Sequence, residues 1–196
     1  MANVSKKKVV LLVSAMVLTG ATAAGGMYFA MSSHDTMAGH HAGGMQHDEA
    51  TMPGLRGDNA SAEESAELAV LFRSFDTITR EVENLPDGIR TVTRSSDPAV
   101  MDALVSHSVG MIDRVGQLDD PKIMIQSPTL DIFFVRGENI VSEVSVEDEG
   151  LVVVQTSDDP EVVAALQVHA AEVTAMADRG MAAVHEMMTA EGRTHN

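Results

Sequence analysis

The sequence predicts an α+β fold assembled from two copies of a helix–hairpin–helix unit, and two observations carry that prediction. The first is an internal repeat. Residues 88–107 lie over residues 150–169 at an offset of 62 without a gap, and nine of those 20 positions are identical. They are Gly88, Val92, Ser95, Asp97, Pro98, Val100, Ala103, Leu104 and His107 with their partners, and upstream the match continues through Phe72/Phe134, Ile78/Ile140, Glu81/Glu143 and Val82/Val144. The second is a change of hydrophobic period within each copy. Alternating apolar and polar positions flank a turn, and an Asp-Pro pair then opens a helical stripe.

Taken in order, residues 1–31 read as an export signal. Lys6, Lys7 and Lys8 precede an apolar run, and no further charge appears until Asp35. Positive residues stay on the cytoplasmic side, so the chain after Met31 is expected beyond the inner membrane. Ala21-Thr22-Ala23 fits a cleavage site, whereas the uncharged stretch of 23 residues from Val9 to Met31 is long enough to remain as a single-pass anchor. Residues 32–60 read as a flexible Met/His-rich segment and linker. Residues 61–196 read as the duplicated domain, with repeats over 65–116 and 127–178.

Within the domain, Ser61-x-x-Glu64 has the spacing of a capping box. Helices are predicted over 66–75 and, in the second copy, 130–135. Strands follow over 77–83 and 139–146, then tight turns ending at Gly88 and Gly150, then strands over 89–94 and 151–156. Asp97-Pro98 and Asp159-Pro160 supply an N-cap and a proline at the first helical position. These helices are predicted to run to about 115 and about 190. The simplest assembly is a four-stranded antiparallel sheet with helices packed on it.

Composition excludes several classes of function. The formal charge is −16, with 29 acidic residues, so nucleic acid and anionic lipid are poor partners. With no cysteine there is no disulfide, thiolate zinc site, iron–sulfur ligation or lipoprotein anchor. No nucleophile elbow or phosphate loop is present, and no run after the tract pairs a histidine with a catalytic carboxylate on one helix face, so no enzymatic activity is expected.

Three constellations could bind a ligand. Met31, His34, Met37, His40, His41, Met45, His47 and Met52 place eight thioether and imidazole groups within 22 residues. These are soft and borderline ligands suited to Cu(I) and Ag(I). A polar low-complexity linker is the alternative. His107 and His169 occupy equivalent places at the edge of an apolar helical stripe. They could meet at a pseudo-dyad to share one metal or ligate a haem, or each ring could be satisfied by a backbone carbonyl. Met181, His185 and Met188 follow steps of four and three and share a helix face, where methionine also packs readily.

The Met/His tract resembles the Met/His-rich segments of bacterial periplasmic copper- and silver-handling proteins. That resemblance implies an exported soft-metal protein which buffers copper or silver, or delivers it to a periplasmic acceptor or membrane-enzyme partner. The Ser157-Asp-Asp-Pro160 and Leu166-x-x-His169-Ala170 patterns resemble those of an exported bacterial domain without assigned chemistry. A non-catalytic envelope interaction module, such as an accessory subunit of an electron-transfer enzyme, is the reading from another class. A haem-binding domain is the third.

Overall fold

The computed structural model describes Val10–Leu12, residues 52–190 and Gly192. A three-residue strand, β1 (Val10–Leu12), is followed by α1 (Ala62–Arg73), the hairpin β2 (Ile78–Leu85) and β3 (Gly88–Ser95), and α2 (Pro98–Gln117). The same order then recurs as α3 (Asp131–Arg136), β4 (Val141–Glu147), β5 (Gly150–Thr156) and α4 (Pro160–Arg179), and α5 (Met181–Ala190) ends the described chain. The fold is α+β: five helices and a sheet whose four long strands are antiparallel, ordered β4-β5-β3-β2. β1 adds in parallel to the outer edge of β4. The rest of the expected signal segment, and the Met/His tract up to residue 51, lie outside the described residues. Among the described residues no helix is long and apolar enough to cross a membrane.

The two hairpins join through β3 and β5, where Thr91 pairs with Val153. These positions are 62 apart, so each is the other's repeat partner, and a local twofold axis passes between them. The cap chemistry is also matched. Asp97 accepts a hydrogen bond from the Ala99 amide at 2.8 Å, and Asp159 accepts one from the Glu161 amide at 3.0 Å. Behind these caps Val162 and Leu166 are wholly buried in α4, and Val100 and Leu104 are buried in α2.

Packing of the helices on the sheet is not symmetric. α4 lies against β2 and β3, the hairpin of the other unit. By symmetry α2 should cover β4 and β5, yet it packs on α1, on α3 and on one end of β3 instead. Space therefore opens between α2 and the inner face of the sheet.

Two boundaries differ from the sequence expectation. Order begins before the capping box: Leu55 in a turn of 3-10 helix (Pro53–Leu55) is 1 % exposed, and Gly57 bridges to Ile123. Arg114 holds this entry segment, donating from Nη2 to the Asn59 carbonyl at 2.9 Å and from Nε to Glu64 at 2.5 Å. Burial of Leu55 and these bonds outweigh the Gly-rich composition that reads as linker. The capping box itself is present, with the Glu64 amide donating to Ser61 Oγ at 3.1 Å and the Ser61 amide to Glu64 at 2.7 Å. The last helix does not run unbroken to 190. It stops at Gly180, whose φ of +55° belongs to the left-handed region, and a Cβ there would lie 2.7 Å from the Phe75 ring.

Candidate functional site

The space under α2 is a cavity of about 310 Å³. Its floor is the inner face of the sheet, where strand alternation presents Ile78 and Arg80 of β2, Ile89, Thr91 and Thr93 of β3, and Val153 and Gln155 of β5. Its walls come from α1, α2 and α4, with Phe72, Leu104, Met111 and Met176 among them, and α3 adds Phe133 and Phe134. Several repeated pairs meet here: Phe72 with Phe134, Ile78 with Ile140, and His107 with His169 all line the one cavity.

Four polar side chains on this apolar lining have an unsatisfied buried atom: Arg80 Nε, His107 Nδ1, His169 Nδ1 and Glu172 Oε2. Buried polar groups in folded proteins are nearly always partnered, and each exception carries a free-energy penalty. Two of the four, His169 Nδ1 and Glu172 Oε2, face each other at 3.6 Å, which leaves Arg80 Nε and His107 Nδ1 as the two with no polar partner.

Each group is positioned by the fold. Arg80 follows Ile78 on the inward positions of β2, and its Nη1 donates to Thr93 Oγ1 across the β2–β3 pair at 2.7 Å. Burial lowers its pKa to about 10, and it remains a cation at neutral pH. No described carboxylate pairs with it, and Nε has no partner at all. His107 enters from the middle of α2. Burial lowers its pKa, outweighing the opposing pull of Glu67 and Glu64, so the ring is neutral at neutral pH. His169 projects from α4 with its ring edge-on to Phe133, centroids 5.8 Å apart. Its Nδ1 stands 3.6 Å from Glu172 Oε2, beyond a normal hydrogen bond. Glu172 is held one turn further along α4 by the Ser127 and Thr129 hydroxyls, which donate to Oε1 at 2.8 and 3.1 Å. Burial pushes its carboxyl up. The neighbouring His169 ring and the Ser127 hydroxyl outweigh that effect and leave it below the usual carboxylate value.

The sequence-predicted ligands thus separate. His107 and His169 come to one cavity near the local twofold, and neither Nδ1 is satisfied by a backbone carbonyl, as the alternative reading required. Met181, His185 and Met188 sit on α5 away from the cavity; His185 is exposed and its carbonyl accepts from Thr189. Met52 is buried against Leu55 and Ala69, so its thioether packs in a small core cluster. Met31, His34, Met37, His40, His41, Met45 and His47 lie outside the described residues. Among the described residues no three His, Asp or Glu side chains converge on a point that could hold a metal ion.

Sequence reading missed Arg80 and Glu172, and the His169–Glu172 pair one turn apart on α4 corrects the expectation that no histidine and carboxylate pair on a helix face. The signal was in the repeat: the partner of Arg80 is Ser142 and that of Glu172 is Gly110, so the charged groups break the symmetry that the apolar lining keeps. An arginine in phase with Ile78 and Val82 on an inward strand face is the second signal.

No family model, curated protein or solved structure matches this chain.

Proposed function

We propose that the folded domain is a non-catalytic binding protein for a small apolar molecule, taken up in the cavity beneath α2. The observation that supports this most directly is an apolar cavity lined by Arg80 and His107, each with a buried nitrogen that has no hydrogen-bond partner. Pockets for small organic ligands start at roughly 300 Å³ and combine this kind of lining with a few polar anchors. A dry cavity of roughly 150 Å³ holds one benzene, so the volume here suits about a dozen to fifteen non-hydrogen atoms. A haem macrocycle is far larger, and size therefore argues against the haem reading of His107 and His169. With the export signal expected over residues 1–31, the domain would act as a carrier or sensor on the periplasmic side of the inner membrane.

The test is titration of the full-length protein with 1-naphthylamine, a neutral probe of eleven non-hydrogen atoms whose emission responds to apolar surroundings. Saturable binding is expected, together with a rise in unfolding free energy of about 2.7 kcal/mol at a hundredfold excess over the dissociation constant. Met111→Trp intrudes into the cavity and should weaken the binding. A titration without saturation would overturn the proposal.

A second reading is favoured by the density of soft ligands over residues 31–47. The tract binds Cu(I) or Ag(I) by ligand exchange, tethered at the membrane or free in the periplasm, and buffers the metal or passes it to an acceptor. Replacing Met37, Met45, His40, His41 and His47 with Ala and Ser is expected to remove most of the Cu(I) capacity measured against a chromophoric chelator. Thermal stability should barely change, and Zn(II) should bind more weakly through histidine alone. Full retention of Cu(I) capacity would eliminate this reading.

A further inference from the structure

We infer that the cavity takes a monocarboxylic acid, with an apolar body of about a dozen non-hydrogen atoms whose carboxylate pairs with the Arg80 guanidinium. This rests on the reading of the domain as an apolar-ligand binder, and it names the ligand class.

The argument starts from a contrast between arginines. Arg90, Arg94, Arg114, Arg136 and Arg179 each pair with an aspartate or glutamate. Arg80 is set deepest among apolar groups, where an unpaired charge is most unfavourable, and it has no such pair. The chain is not short of acids, since it carries 29 Asp and Glu. A guanidinium left without a counter-ion in so acidic a protein is matched to an anion that arrives from outside.

Its geometry narrows the anion. The Thr93 hydroxyl occupies Nη1 at 2.7 Å and fixes the guanidinium plane, while the Nε edge is left without a partner. Turned to the cavity, that edge would offer parallel N–H donors, the arrangement that a carboxylate accepts through both oxygens. A phosphate monoester carries close to two charges at neutral pH. No charged group acts on Arg80, so a dianion would leave one charge unbalanced in apolar surroundings. A single carboxylate brings the pair to neutrality.

The pseudo-symmetry supports a functional origin. Ser142 stands at the equivalent position in the second unit, where it is buried and accepts from Gln155 Nε2 at 3.1 Å. The scaffold therefore accommodates a small polar residue there, and the arginine is not required to build the fold. At the other pole, the electrostatic influences on His107 come from Glu67, Glu64 and His169 and not from Arg80.

The test compares decanoate, decanol and decyl phosphate on the full-length protein by calorimetric titration below their aggregation concentrations, with wild type and Arg80→Met in parallel. The wild type should bind decanoate at least tenfold more tightly than decanol and more tightly than decyl phosphate. Arg80→Met should retain decanol and lose the preference for the acid. Arg80→Lys should recover only part of it, since an ammonium lacks the paired donors. Equal affinity for acid and alcohol in the wild type overturns the carboxylate assignment and leaves apolar binding standing. Tighter binding of decyl phosphate overturns the monoanion argument. Failure of all three ligands, and of 1-naphthylamine, overturns the binding function on which this inference rests.

Discussion

Arg80→Met is expected to make the empty domain more stable, by about 2 kcal/mol in urea unfolding at neutral pH. Burial disfavours the Arg80 charge and lowers its pKa to about 10, well below the usual guanidinium value. At about 1.36 kcal/mol per unit this corresponds to roughly 3 kcal/mol of destabilisation. Loss of the hydrogen bond to Thr93 takes back about 1 kcal/mol, and methionine fills part of the same volume without a desolvation penalty. The sign follows from linkage. A base whose folded-state pKa is lowered penalises folding wherever it is charged in both states, here at every pH below about 10. The gain should therefore be the same at pH 6 and pH 8. A substitution that stabilises the fold while removing a ligand preference is the signature of a group kept for binding. If Arg80→Met instead destabilises the domain by 1 kcal/mol or more, the guanidinium is structural and the carboxylate site loses its main support.

Gly88→Ala is expected to be the most damaging single-methyl change in the sheet, costing about 3–5 kcal/mol and lowering the urea midpoint accordingly. A Cβ on Gly88 would stand 1.9 Å from the Gln155 carbonyl oxygen and 2.9 Å from Thr156 Cα. Both obstacles are backbone of β5, the strand to which Gly88 is paired. Relief therefore means moving β3 away from β5 at the junction of the two hairpins, where Ile89, Leu151 and Val152 are buried. A domain of this size is typically stable by about 5–15 kcal/mol, so the variant should be close to unfolding at physiological temperature. Gly110→Ala is the control. A Cβ there meets nothing within 4 Å, and Ala in the interior of α2 should stabilise by up to about 1 kcal/mol. If Gly88→Ala is as stable as wild type, the close approach of β3 and β5 is not as tight as the geometry states.

The repeat partner of Gly88 is Gly150, and the two are glycine for different reasons. Gly150 has φ of +125°, a conformation that side chains resist, whereas Gly88 is confined by the neighbouring strand. Turn spacing alone locates both positions in the sequence. The distinction exists only once β3 and β5 are side by side.

Legibility followed that line elsewhere. The Asp-Pro pairs announced α2 and α4 because N-caps and proline at the first turn act through local geometry. The hairpin strands were readable because alternation over a few residues suffices to specify a half-buried face. The end of α4 at Gly180 was not, because helical periodicity carries through the glycine and only the Phe75 ring lying against it shows that no side chain fits there. Leu55 was read as linker because its burial depends on α1 and on Ile125, distant in sequence. Of the site, the two histidines were visible as a repeated pair on apolar stripes, while Arg80 and Glu172 were not singled out.

The sequence by itself determined the order of elements within the duplicated domain, the twofold repetition and the matched placement of His107 and His169 beside an apolar stripe, since each depends on periodicity and on local hydrogen-bond chemistry. Only the tertiary structure decided that α4 covers the opposite hairpin closely while α2 does not, and hence that the repeated histidines border a cavity rather than a packed core. Packing of that kind is settled by the shapes of many side chains at once. A repeat encodes two similar units, but nothing local in either copy states how far apart they come to rest.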